Sequence, residues 1–455
     1  MFFRQYSLPC LSLFSYLVGD ETSGRAVVID PQRDIDQYLE DAREAGMRIE
    51  RVIETHVHAD FVSGHLELAE ATGAAISYGA GATVDYPIDP LAGGQTIELG
   101  DVALEIRATP GHTPESIAIV VWEHTGDAEP WGVLTGDTLF IGDVGRPDLL
   151  AGGGMEPEEM ARALYRSLHD QLLTLPDGVR VFPAHGAGSA CGKNLSSATS
   201  STIGEQRQTN YALQPMSESD FVTAVTEGQP AAPPYFAFAA ATNRHTHELH
   251  DDHMTPPVLS VDDALAVAAG GGVILDCRAA ETFASGHLRG SVNVGIDGRF
   301  AEYAGDVLPA DRPIVLVTDP GRETEARTRL SRIGFDHVVG AIEEIDRVLV
   351  DRPELAATAA RLTAAEFGDW GDGIQVIDVR APGELTEGSV PGSRNIPLAG
   401  LLAELDTVDV DVPTVVYCAG GYRSSVAASL LRSRGVKEVA DVLGGWPALR
   451  ALTAA

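Results

Sequence analysis

Two separated segments carry residue types that do chemistry. Thr55-His56-Val57-His58-Ala59-Asp60 places three metal-ligating side chains within five positions, and Cys418-Ala419-Gly420-Gly421-Tyr422-Arg423 sets one thiol at the start of a glycine-rich loop. Further along the first region come His112 in Pro110-Gly111-His112-Thr113, Asp137 in Thr135-Gly136-Asp137-Thr138, and His185 in Pro183-Ala184-His185-Gly186. One such residue would mean little, because an isolated polar side chain is usually just hydrogen-bonded. Six of them, each closing an apolar run and flanked by small residues, point to loops converging on an ion. In the last segment, Gly420 and Gly421 let the backbone curl so that N–H groups face the sulfur. A helix opening at Arg423-Ser424-Ser425 adds partial positive charge, and both effects favour a thiolate nucleophile.

The elements that must position these groups follow from the pattern. Residues 1–250 alternate short β-rich runs (Val27–Ile29, Val52–Glu54, Leu104–Ala108, Ile117–Trp122, Gly132–Leu134) with helical stretches, which predicts a layered α/β domain. The N-terminal apolar run Leu8–Val18 is interrupted by Pro9, Cys10 and serines, and it leads into the strand pattern Arg25–Pro31. It reads as a first β-hairpin rather than a signal peptide. The polar stretch Asn243–His253, ending at Pro256-Pro257, reads as a solvated linker. Behind it lies an internal repeat. Val273-Ile274-Leu275-Asp276-Cys277-Arg278 is echoed by Val376-Ile377-Asp378-Val379-Arg380, and Gly286–Asn293 by Gly388–Asn395. Two copies of one βα domain, 257–355 and 358–455, explain this. The middle copy carries Asp319 at the position read as matching Cys418, so it is expected to be catalytically silent.

The chain has 455 residues, 44% of them apolar, which suits several soluble domains. A formal charge of −34 argues against nucleic acid and anionic membrane surfaces as partners, and no apolar run is long enough for a membrane span. Cys10, Cys191, Cys277 and Cys418 form no C-x-x-C pair. That disfavours a disulfide framework or zinc ribbon and leads us to expect a cytoplasmic protein. Cys277, on a strand, reads as a buried thiol. Arg207, in the polar stretch Ser200–Asn210, could hold an anionic group of a thiol carrier or lie on a plain surface helix. A homo-oligomer stays open.

The ordered set His-x-His-x-Asp, His112, Asp137 and His185 resembles the metallo-β-lactamase superfamily. The resemblance implies an αββα sandwich with the metal at one edge of the sheets. Dinuclear members have His after the motif aspartate, where this chain has Phe61. His56, His112 and Asp137 are left as two imidazoles and a carboxylate, the facial set associated with mononuclear non-haem Fe(II). The segment Gly136–Asp148, together with His-Ala-Asp, Pro-Gly-His-Thr-Pro-Glu-Ser and Pro-Ala-His, is similar to the persulfide dioxygenase branch. That similarity implies one Fe(II) on His56, His112 and Asp137, with His58, Asp60 and His185 orienting it or ligating directly. It also implies a low-molecular-weight persulfide and O2 as substrates, with sulfite and thiol as products.

The Cys418–Arg423 loop, with Asp378-Val379-Arg380 and Leu443-Gly444-Gly445-Trp446-Pro447, resembles rhodanese sulfurtransferases. This implies two rhodanese-like α/β domains with parallel sheets, and persulfide exchange among thiosulfate, sulfite and thiols at Cys418, with Ala419, Gly420, Gly421 and Tyr422 forming the cradle and Arg423 closing it. The spacing C-x4-R gives a smaller loop than the C-x5-R of cysteine phosphatases. The alternatives are a glyoxalase II-like zinc thioester hydrolase fused to a rhodanese, and a relay protein in which Cys418 accepts sulfur only to signal.

Overall fold

The computed structural model describes residues 1–149, 154–370 and 373–453. The chain divides into one unit of Met1–Pro230 with Phe236–His250, and a second of Ala231–Tyr235 with Asp251–Ala455.

The first unit holds two sheets. One contains β1 (Phe2–Leu8), β2 (Leu13–Asp20), β3 (Arg25–Ile29), β4 (Arg48–Ile53) and β5 (Ala75–Ser77) in that spatial order. β1 and β2 pair as an antiparallel hairpin, Phe2 opposite Gly19 through Leu8 opposite Leu13. The other sheet contains β6 (Thr96–Glu98), β7 (Ala103–Ala108), β8 (Ile117–Trp122), β9 (Gly132–Gly136), β10 (Arg180–Pro183) and β11 (Ser201–Thr202), in spatial order from β11 to β6.

The central strands β2, β3, β8 and β9 are buried on nearly every residue, and period-two alternation sorts their side chains between the two faces. Tyr16, Val18, Val27, Ile29, Ile117, Ile119 and Val121 meet in one core between the sheets. Leu17, Ala26 and Val28 face outward onto Tyr38 and Ala42 of the helix Asp36–Glu44. Ala118 and Val120 face the helices Pro157–Ser167 and Glu218–Thr226 through Leu164, Phe221 and Val225. Helix, sheet, sheet, helix is the resulting layering, the αββα architecture expected from the motifs.

The second unit contains two parallel sheets. β12 (Val273–Asp276), β13 (His287–Leu288), β14 (Val292–Asn293), β15 (Ile314–Val317), β16 (Val338–Ile342) and β17 (Ala356–Ala357) come first, with the sheet ordered β14-β12-β15-β16 and β13 pairing antiparallel with β17. β18 (Ala360–Leu362), β19 (Gln375–Asp378), β20 (Arg394–Asn395), β21 (Thr414–Tyr417) and β22 (Val439–Val442) form the other, ordered β18-β22-β21-β19-β20.

The repeated sequence becomes repeated bonding. Arg278 clasps Asp276 at 2.6 Å and Arg380 clasps Asp378 at 2.7 Å, each arginine also reaching the carbonyl of Gly286 or Gly388. The amides of Asn293 and Asn395 each donate to the two carbonyls of that Asp-x-Arg turn. Burying such a charged pair is tolerable because every polar atom finds a partner.

Strand register corrects one expectation. Val317 lies opposite Asp276, and Tyr417 lies opposite Asp378. Thr318 therefore occupies the position of Cys418, and Asp319 that of Ala419. Gly321 and Gly421 keep the match, both with left-handed backbone (φ +83° and +100°). The middle repeat thus lacks the thiol because of Thr318, and the carboxylate of Asp319 stands one residue beyond it. Among the described residues no helix is long and apolar enough to cross a membrane.

Candidate metal centre and thiol loop

The candidate ligands all leave the carboxyl ends of strands. His56 and His58 follow β4, His112 follows β7, Asp137 follows β9 and His185 follows β10. Two glycines allow the approach. Gly136 adopts φ +50°, and a side chain there would meet the Cβ of Thr55 at 2.8 Å. At Gly145 a Cβ would lie 1.9 Å from the carbonyl oxygen of Asp137.

His56, His112 and Asp137 are brought together and fully buried, with their ligating atoms within 4.8 Å of one another. Asp137 Oδ2 lies 3.4 Å from His112 Nε2 and 3.9 Å from His56 Nε2. Hydrogen bonds on the far side of each ring fix the tautomers. His112 Nδ1 donates to the carbonyl of Arg146 at 2.8 Å, and His185 Nδ1 to that of Ser12 at 3.2 Å. Thr55 Oγ1 gives its proton to Asp30 at 2.9 Å and so accepts from His56 Nδ1 at 3.0 Å. Each Nε2 is left as a lone pair directed inward. Burial, then the neighbouring imidazoles His58, His112 and His185, pushes His56 well below the usual histidine range, so the ring stays neutral.

Neither oxygen of Asp137 has a hydrogen-bond partner although both are buried. A carboxylate in that position is costly unless a cation neutralises it. Three inward lone pairs around a bare carboxylate fit a metal ion.

His58, Asp60 and His185 form a second cluster, with His185 Nε2 3.2 Å from Asp60 Oδ2 and 3.5 Å from Asp137 Oδ1. His58 turns its Nε2 away toward Asp30 and Glu54, at 3.0 and 3.2 Å. Phe61 is wholly buried and packs on the His58 ring, 4.4 Å between centroids.

Two contributors were not foreseen. Cys191 joins Asp137 and His185 in a third ligand-competent group. Burial, followed by the carboxylates of Asp60 and Asp137, pushes its thiol well above the usual cysteine range. Asp143 accepts from the N–H groups of Lys193 and Asn194 at 2.7 and 2.6 Å, and Arg146 N–H donates to the Cys191 carbonyl at 3.0 Å, so this segment clamps the Cys191 loop against the ligands.

Asn243 is the other, and it revises the linker expectation. It is wholly buried, donates to the carbonyls of His58 (2.9 Å) and Phe61 (2.7 Å), and accepts from Ser63 N–H. The start of the polar stretch is therefore a brace for the His56–Asp60 loop, because only a side-chain amide satisfies both donors and acceptors there. Arg207 is held by Asp177 and the Leu173 carbonyl, outside the ligand clusters.

In the second unit, Cys418 is buried at the end of β21, and the N–H of Gly421 donates to its sulfur at 3.1 Å. Ser424 Oγ lies 3.5 Å from the same sulfur. The helix Tyr422–Ser433 starts at this loop, as expected. Arg423 is held by Glu384 through two bonds of 2.7 and 2.8 Å, which fixes its guanidinium beside the loop. Ala419 and Gly420 complete the turn, and Cys277 is a buried thiol as read.

Both units are similar to known proteins. The metallo-beta-lactamase superfamily model matches residues 8–185, and the rhodanese-like domain model matches twice, at 260–344 and 363–452. Persulfide dioxygenase ETHE1, mitochondrial, of Homo sapiens is 33% identical over 246 residues, covering 53% of this chain and 86% of the relative. A hydroxyacylglutathione hydrolase of Polaromonas sp. is 34% identical over 175 residues, covering 38% of this chain and 61% of the relative. Among solved structures, a metallo-beta-lactamase from Staphylococcus aureus subsp. aureus COL is 33% identical with a TM-score of 0.68, covering 75% of this chain and 98% of that one.

Proposed function

Because this chain belongs to the metallo-beta-lactamase superfamily and carries two rhodanese-like domains behind that domain, we propose that it joins a persulfide dioxygenase to a sulfurtransferase. The reading rests on one observation above all. His56, His112 and the unpartnered Asp137 bring their ligand atoms within 4.8 Å of one another, while Phe61 stands where dinuclear relatives of the superfamily carry a histidine. One Fe(II) held there would, when bound, supply the electron transfer that couples O2 to oxidation of the outer sulfur of a small persulfide, one water providing the third oxygen of the sulfite and the thiol being released.

The chain's own residues do the rest. Arg146, Ser12 and the Thr55–Asp30 pair hold the imidazoles in the ligating tautomer, and Phe61 packs on the His58 ring and offers no ligand there. At Cys418 the thiolate attacks the sulfane sulfur of thiosulfate. The new bond joins Sγ to that sulfur, the S–S bond of the donor breaks, and sulfite leaves with the electron pair. Gly421 N–H and the helix start stabilise the charge on the loaded sulfur.

Metal quantification on anaerobically purified protein, paired with oxygen-electrode assays, tests this. The expected result is about one iron per chain with persulfide-dependent O2 uptake. Two tightly held zinc ions with thioester cleavage would replace it with the hydrolase reading. That second reading draws on the Asp137–His185–Cys191 group, which could take another ion, and on the hydroxyacylglutathione hydrolase relative.

A further inference from the structure

We infer that the middle repeat, silent as a nucleophile, holds the acceptor thiol for Cys418 by its ammonium group. The inference rests on the sulfurtransferase reading and adds the class of acceptor to it.

A cavity of about 300 Å3 opens at the carboxyl ends of the middle repeat's own strands, where open parallel sheets bind ligands. Glu281, Asp297 and Asp319 line it from that repeat, and Arg361, Gly420, Gly421 and Tyr422 line it from the last repeat. The Tyr422 hydroxyl donates to the Gly295 carbonyl, and its ring packs 5.1 Å from Tyr303, so the thiol loop is pinned across the cavity. Gly421 presents one side to the cavity while its N–H holds the Cys418 sulfur at 3.1 Å. Gly421 is therefore shared between the wall of the cavity and the cradle of the Cys418 sulfur.

The middle repeat's loop has the opposite electrostatic character to its counterpart. Pro320 stands where Gly420 does and offers no N–H. Asp319 replaces Ala419, and Glu323 stands at the position of Arg423. A loop built to cradle an anion has become one that attracts a cation. Two of the lining carboxylates are already neutralised, Glu281 by Arg361 at 3.0 Å and Asp297 by Arg322 at 3.0 Å. Asp319 is exposed at the cavity, and no arginine or lysine pairs with it among the described residues. An unpaired carboxylate in an amino-acid-sized space, with Arg361 of the lining held by Glu281 and Asp441, suits the ammonium of a zwitterionic thiol, and the volume is at the low end for small-molecule sites.

The transfer balances without any further reactant. The acceptor thiolate attacks the outer sulfur of the Cys418 persulfide, a bond forms between those two sulfurs, and the bond to Sγ breaks. Cys418 recovers its thiolate, and the acceptor leaves as a persulfide.

The full-length chain supports two measurements. Calorimetry with S-methyl-L-cysteine, which cannot accept sulfur, should show binding to wild type and to Cys418→Ser, weakened about fivefold in Asp319→Asn, the size expected for one partly exposed ion pair. Transfer from thiosulfate-loaded protein should be compared for L-cysteine and 3-mercaptopropionate, which lacks the ammonium. The preference for cysteine should fall about fivefold in Asp319→Asn, and the variant-to-wild-type ratio cancels the intrinsic reactivity of the two thiols. An unchanged preference, or no binding of S-methyl-L-cysteine to wild type, overturns the inference even if Cys418 loads normally. Binding that depends on Asp319 in a chain whose Cys418 never loads upholds the cavity and removes the sulfurtransferase reading instead.

Discussion

Asn243 and Gly136 illustrate how little room the metal loops leave for substitution. Removing the Asn243 amide leaves the carbonyls of His58 and Phe61 unsatisfied inside the protein, at about 1–3 kcal/mol for such groups. Asn243→Ala should therefore lower thermal stability and release metal at chelator concentrations that spare wild type. A circular-dichroism melt beside metal analysis reads both, and a melt unchanged within a degree would refute the bracing role. Gly136→Ala forces a side chain onto Thr55 in a left-handed backbone, so metal content should collapse even where the chain folds. The convergence of His56, His112 and Asp137 was legible because each closes an apolar run in its own sequence segment. Cys191 and Asn243 were not, since each serves a loop distant in sequence, and only folding shows which carbonyl or carboxylate it will meet.

At the level of elements, the pairing of β13 with β17 carries a buried histidine. His287 is pushed down to about 4, chiefly by burial, with Arg432, Arg278 and Arg289 adding to the shift against its bond to the Phe283 carbonyl. Its folded value lies below the unfolded one, so below pH 6.5 the unfolded chain takes up a proton that the native chain refuses. Stability should decline as pH falls from about 6.5 to about 4, then level off, by up to about 3 kcal/mol. Urea titrations of wild type and His287→Gln across that range test it, and equal acid sensitivity in the two would show that other groups dominate. The repeat was legible through Asp-x-Arg and the Gly-to-Asn segment, because both serve the same clasp in each copy. The partner of Cys418 was misplaced by one residue, because sequence similarity fades beyond the strand, whereas strand register and the shared left-handed glycine fix it at Thr318.

For the whole molecule, the two chemistries should separate by substrate. Cys418→Ser should abolish O2 uptake fed by thiosulfate plus thiol, yet leave uptake on a ready-made persulfide close to wild type. Loss of both in an oxygen electrode would mean that the units do not work as independent sites. The duplicated frame also fixes a stoichiometry. Both copies keep the buried Asp–Arg clasp and the turn into the following helix, but only one keeps a sulfur atom at the turn. Saturating the protein with thiosulfate should thus deposit a single cyanide-labile sulfur per polypeptide. Installing Thr318→Cys would not raise that figure to two, since the restored thiol would sit under a proline and beside Glu323, in surroundings that repel the very charge it must carry.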